Sequence, residues 1–188
     1  MLFMKKEKNR SMIYIAAFIA LIMVLSVIGF LWGGGEGESY RYGEHSFRYE
    51  AGKWQTRING KSLSFSYLPD EVAVISVPEN ARSLISGARM VYLSYSPESY
   101  AEELALAQFN LGRNLETSMR FVVNALTGEN EDNIPVIACE NATIPVPVIL
   151  IKKSADDSII LNNSCIILEG NPQMLADRLV YSAYGVMG

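Results

Sequence analysis

The chain has one His and two Cys in 188 residues. That is too few soft ligands for a multi-histidine zinc or copper site, or for a four-thiolate zinc or iron-sulfur site. Positive charge is also in short supply: 16 Lys and Arg face 20 Asp and Glu, a formal net charge of −4. That balance argues against nucleic acid as a partner, because affinity for a phosphate backbone comes largely from clustered Lys and Arg. No internal repeat and no Cys-x-x-Cys pair is present. The reading from residue types is therefore no metal, no cofactor and no catalytic residue.

Apolar residues are plentiful, at 49% of the chain, and they begin with an uncharged run of 21 positions, Met12 to Trp32. As a helix this run would rise roughly 31 Å, the thickness of a bilayer's hydrocarbon core. Tyr14 and Trp32 sit near its ends, where amphipathic rings favour the membrane interface. The expectation is a retained single-pass anchor with the lipid bilayer as partner. A cleaved secretory signal would have a shorter apolar region and small residues at its end, whereas this run closes on Gly29-Phe30-Leu31-Trp32. A pilin-type helix would continue past the membrane, but Gly33-Gly34-Gly35 interrupts it.

Lys5, Lys6, Lys8 and Arg10 against Glu7 give the first ten residues a net +3. The positive-inside rule then places the N-terminus in the cytoplasm and the rest outside the cell membrane. The expected organisation is a basic tail at 1–11, a span at 12–32, a Gly-rich tether at 33–39 and an extracytoplasmic domain at 40–188.

Within that domain, Phe47 and Tyr49, then Trp54, Thr56 and Ile58, then Leu63, Phe65 and Tyr67 alternate with polar neighbours. Asn59-Gly60 between two such segments predicts a hairpin with a two-residue type I′ turn. Val72–Val77 and Met90–Tyr95 read as strands, and Glu79–Ile85 as a short helix. Ser96-Pro97-Glu98 opens a long helix whose apolar face runs through Leu104, Leu111, Leu115, Met119, Val122 and Leu126. Residues Ile134–Cys139, Val146–Lys152 and Ile159–Leu168 read as strands, and Asn171-Pro172 starts a closing helix. The fold class expected is α+β: an N-terminal transmembrane helix, then a mixed, mainly antiparallel sheet packed with two or three helices.

Cys139 and Cys165 are the two cysteines, and an oxidising compartment would pair them. Closing their 26-residue loop is worth roughly 3 to 4 kcal/mol on a chain-entropy account. Asn141-Ala142-Thr143 and Asn162-Asn163-Ser164 match the glycosylation acceptor pattern, so Asn141 and Asn162 are candidate sugar sites, or two polar turns. His45 has Glu44 and Ser46 beside it, yet neighbours on a strand point to opposite faces and cannot form a relay. Glu129, Glu131 and Asp132 lack the ligand spacing of a calcium loop. Asp177 and Arg178 read as a buried ion pair or capping contact rather than a catalytic acid.

The tail of the chain resembles uncharacterised archaeal single-pass membrane surface proteins. The likeness runs through Cys139-Glu140-Asn141-Ala142-Thr143, Pro147-Val148-Ile149, Cys165-Ile166-Ile167-Leu168-Glu169-Gly170, Ala176-Asp177-Arg178-Leu179 and Tyr184-Gly185. It implies a membrane-anchored, disulfide-containing outer domain. The function expected is a non-enzymatic extracytoplasmic interaction or envelope-assembly protein with an unidentified protein partner. The alternatives are an envelope hydrolase using carboxylates and a pilin-like assembly subunit.

Overall fold

The computed structural model describes residues 10–32, 38–97, 100–118 and 120–188. The chain divides into two compact units, Met1–Gly37 and Glu38–Gly188, each taken by itself below.

The first unit contains helix α1, Arg10–Trp32. Its side chains are described from Ile13 to Ile28, and the large apolar ones are all exposed, from 40% at Ile28 to 72% at Tyr14. No helix among the described residues is long and apolar enough to cross a membrane. This corrects the expected span at 12–32. Bilayer anchoring, single-pass topology and an extracytoplasmic location all followed from it and fall with it. Residues 1–9 of the basic tail and 33–37 of the tether lie outside the described residues, as does Glu98 of the expected helix start.

The second unit holds two sheets. Strands β1 (Ser39–Tyr42), β2 (His45–Glu50), β3 (Lys53–Ile58) and β4 (Lys61–Phe65) form an antiparallel meander in chain order. Asn59 and Gly60 both take positive φ, 52° and 78°, with Ile58 paired to Lys61, so the Asn-Gly turn is where its residue types require it. Ala51 and Gly52 build the same turn between β2 and β3 with φ of 52° and 79°. Alternation sends Phe47, Trp54, Thr56, Ile58, Leu63 and Phe65 to the inner face and polar side chains to the outer one.

The second sheet has the order β6-β5-β7-β9-β8. Its strands are β5 (Met90–Tyr95), β6 (Phe121–Leu126), β7 (Val148–Lys153), β8 (Ser158–Asn162) and β9 (Cys165–Gly170). β6, β5, β7 and β9 run parallel, and β8 is an antiparallel edge. Helices α2 (Pro69–Val72), α3 (Glu79–Gly87), α4 (Ala101–Glu116) and α5 (Pro172–Ala183) complete the unit. Counting pairs, four are antiparallel and three parallel, so the mixed, mainly antiparallel pairing packed with helices is as expected, divided here between two sheets.

The long helix expected through Leu126 is also corrected. It ends at Glu116, and Phe121–Leu126 pairs in parallel with Met90–Tyr95. A spacing of four returns to one side of a helix and, being even, also to one face of a strand, so Val122 and Leu126 satisfied both patterns. Val72–Val77 is not a strand: Pro69 starts a helical turn, Glu71 accepts from Leu68 N–H, and Val74 is 91% exposed. The run Ile159–Leu168 is a hairpin, broken where Asn163 takes φ 52°. Ile134–Cys139 makes one bridge, Leu126 to Val136, and then a 3₁₀ turn over Cys139–Asn141.

Helix α5 is the centre of the core. Every residue from Leu175 to Ser182 is buried, because the inner face of the antiparallel sheet lies on one side and β7 and β9 on the other. Tyr181 stacks on Phe65 at 4.1 Å between centroids and meets Phe47 edge-on at 6.1 Å. The second face of the parallel sheet carries a small cluster of Val148, Leu150 and Cys165, covered by Ile137, Cys139 and Ala142.

Candidate functional site

An antiparallel sheet that ends at β4 leaves unpaired N–H and C=O groups along that strand, which must find partners where the edge is covered. Helices α4 and α5 supply them from side chains. Asn114 accepts from Ser64 N–H at 3.2 Å and donates to Ser64 C=O at 2.9 Å, so one amide stands in for a neighbouring strand. Asp177 Oδ2 accepts from Ser66 N–H at 2.7 Å and Tyr67 N–H at 3.0 Å, and Gln173 donates to its Oδ1 at 3.2 Å. The Tyr181 hydroxyl donates to Tyr67 C=O at 2.7 Å. Asn114→Ala should destabilise the unit by about 1 to 3 kcal/mol, since two backbone groups lose their partner at a part-buried seam; urea denaturation of the variant measures it.

Beside this seam the outer face of β2, β3 and β4 meets the last turns of α4 in a groove of about 320 Å³. Its polar walls include Lys53, Gln55, Ser64, Arg113 and Asn114. Lys53 Nζ is enclosed and has no hydrogen-bond partner among the described residues. Burial lowers its pKa, opposed by attraction to Asp177 and reinforced by repulsion from Arg113. Asp177 is no firm counter-ion: burial pushes its carboxyl up to about 7, although the Tyr67, Ser66 and Gln173 donors and Lys53 pull the other way. A second cavity of about 360 Å³, near Leu84, Ile144 and Asn163, has no ionisable group in its lining.

The two cysteines are joined, Cys139 to Cys165, with Cα atoms 5.2 Å apart. Asn141 and Asn162 are both exposed, and Asn141 Oδ1 accepts from Ala138 N–H at 2.8 Å. Half-buried His45 lies at the start of β2, paired across the strand with Tyr42. Asp177 and Arg178 do not pair with each other: Arg178 donates to Ile75 C=O at 2.7 Å and Gly188 C=O at 2.5 Å. The helix turns adjacent side chains about 100° apart, so they serve different neighbours. Among the described residues no group of three or more His, Cys, Asp or Glu could hold a metal ion. Sequence reasoning passed over Lys53, Arg113 and Asn114. Only the polar phase of the hairpin alternation, Lys53-x-Gln55-x-Arg57, marked the face they share.

These features define a two-sheet domain of mixed α and β structure with a polar groove where the meander meets α4. No protein-family model matches the chain, and comparison with curated proteins and with solved structures finds no match. The likeness to archaeal membrane surface proteins is corrected on that ground and on the lack of a spanning helix among the described residues. The envelope role drawn from it is corrected likewise.

Proposed function

We propose that the Glu38–Gly188 unit is a ligand-binding module whose groove takes an anionic group, a carboxylate or phosphate. The observation that carries this reading is the enclosed Lys53 ammonium at the groove wall, which has no hydrogen-bond partner among the described residues. A buried ammonium without an acceptor is costly, and its flexible four-carbon stem lets it turn toward an acceptor in the groove. Arg113 adds a second positive charge, and the Asn114 and Gln55 amides can donate alongside.

The test is a titration of the full chain with inorganic phosphate, followed by amide NMR shifts at Ser62–Ser64. Lys53→Met should weaken binding at least about ten-fold, while leaving stability unchanged or raised, because it removes an unpaired charge. Equal binding by wild type and Lys53→Met, or no saturable shift in either, would sink the reading.

A further inference from the structure

The outer face of the antiparallel meander has a composition unlike that of the whole chain. By register and alternation it carries Arg41, Arg48, Lys53 and Arg57, with Arg113 of α4 at its border. Glu50 is the carboxylate among them; it lies opposite Lys53 and lines the groove, and it stands 3.6 Å from Arg48 in an exposed pair of little net strength. Five cations against one anion thus share a single surface on a chain whose formal net charge is −4. Arg41, Arg48 and Arg57 are exposed, and Ser46, Gln55, Ser62 and Ser64 fill the positions between.

We infer that this face docks an acidic polypeptide segment, laid along β3 with one carboxylate entering the Lys53 groove. The inference rests on the groove reading above and names its partner. Charge complementarity supplies the first argument, since a positive field on an otherwise acidic molecule selects and orients an anionic partner. Spacing supplies the second. Same-face residues along β3 stand about 7 Å apart, which matches the roughly 7 Å repeat of side chains on one side of an extended peptide, so Lys53 and Arg57 face positions two repeats apart. Arginine at three of the four sheet positions favours forked recognition of carboxylates.

The third argument separates the partner from other polyanions. Tyr40, Tyr42, Phe47, Tyr49, Trp54 and Phe65 all have the opposite alternation phase. The sheet therefore gives this face no ring on which bases could stack, and at its border Arg113 lies over the Phe109 ring, 5.7 Å from its centroid, whereas stacking on successive rings is what single-stranded nucleic acid binders use.

The test measures binding of a labelled glutamate-rich peptide, an oligothymidylate and inorganic phosphate to the full chain and to two variants. In Arg41→Gln/Arg57→Gln, whose changes are exposed and should leave folding intact, peptide affinity should fall about ten-fold while phosphate affinity stays the same. Lys53→Met should weaken both, and added salt should weaken the peptide. If the double variant binds peptide like wild type while Lys53→Met still loses phosphate, the docking face is wrong and the groove stands. If phosphate binding ignores Lys53→Met, the groove itself is wrong. Tighter binding of oligothymidylate than of peptide would overturn the choice of partner.

Discussion

Asp177→Ala should destabilise the Glu38–Gly188 unit by about 3 to 5 kcal/mol, a loss large enough to unfold a marginal domain. The carboxyl is 1% exposed and accepts from two consecutive backbone N–H groups, Ser66 and Tyr67, at the end of β4. Alanine would strand both donors and Gln173 at a seam that water reaches poorly. Asp177→Asn keeps an oxygen for the backbone and should cost much less. Guanidinium denaturation of the two variants measures the difference, and equal losses would mean that cavity formation, not lost hydrogen bonds, sets the cost.

The same residue gives stability a pH dependence opposite to that of a salt-bridged carboxylate. Its folded pKa, about 7, lies above the ordinary carboxyl value of 3.8. Between those values the folded state therefore holds a proton that the unfolded state has released. Stability from this group is full below about pH 4, falls as pH rises and levels off above pH 7, a change on the order of 4 kcal/mol. Asp177→Asn cannot release that proton, so its stability relative to wild type should improve from pH 4 to 7. A constant difference across that range would show that the carboxyl titrates normally.

What could be read from the chain divides by the range of the interaction that decides it. The Asn59-Gly60 turn, the Met90–Tyr95 strand and the Asn171-Pro172 helix start depend on residues that touch in sequence, and each is where its side chains dictate. Asn171 even caps its helix through Met174 N–H at 3.2 Å. By contrast, whether Phe121–Leu126 becomes helix or strand depends on β5 lying alongside, about thirty residues earlier in the chain. The candidate groove was less legible still. Lys53 and Arg113 are 60 residues apart in the sequence, and nothing local to either specifies that the meander's outer face abuts the end of α4. Asn114 reads as an ordinary polar helix residue until the open edge of β4 is set against it.

Reducing the Cys139–Cys165 bridge should cost the domain roughly 3.5 kcal/mol, from a 26-residue closed loop. The loss should fall unevenly. Cys165 sits at the base of β9 beside Val148, while Cys139 belongs to the segment that covers the second face of the parallel sheet. That segment's other ties are few: Ser94 donates to Ile137 C=O at 2.6 Å, and Leu126 exchanges backbone bonds with Pro135 and Ile137. Without the bridge, amide exchange should quicken first across 135–142 and then at Tyr92 and Val148, while Phe65 and Tyr181 on the far side keep their protection. Asp177→Ala acts at that far side and shares no hydrogen-bond partner with the cysteines, so its cost should add to that of reduction within about 0.5 kcal/mol. A clearly larger combined loss would mean that the covering segment and the α5 seam unfold as one cooperative unit.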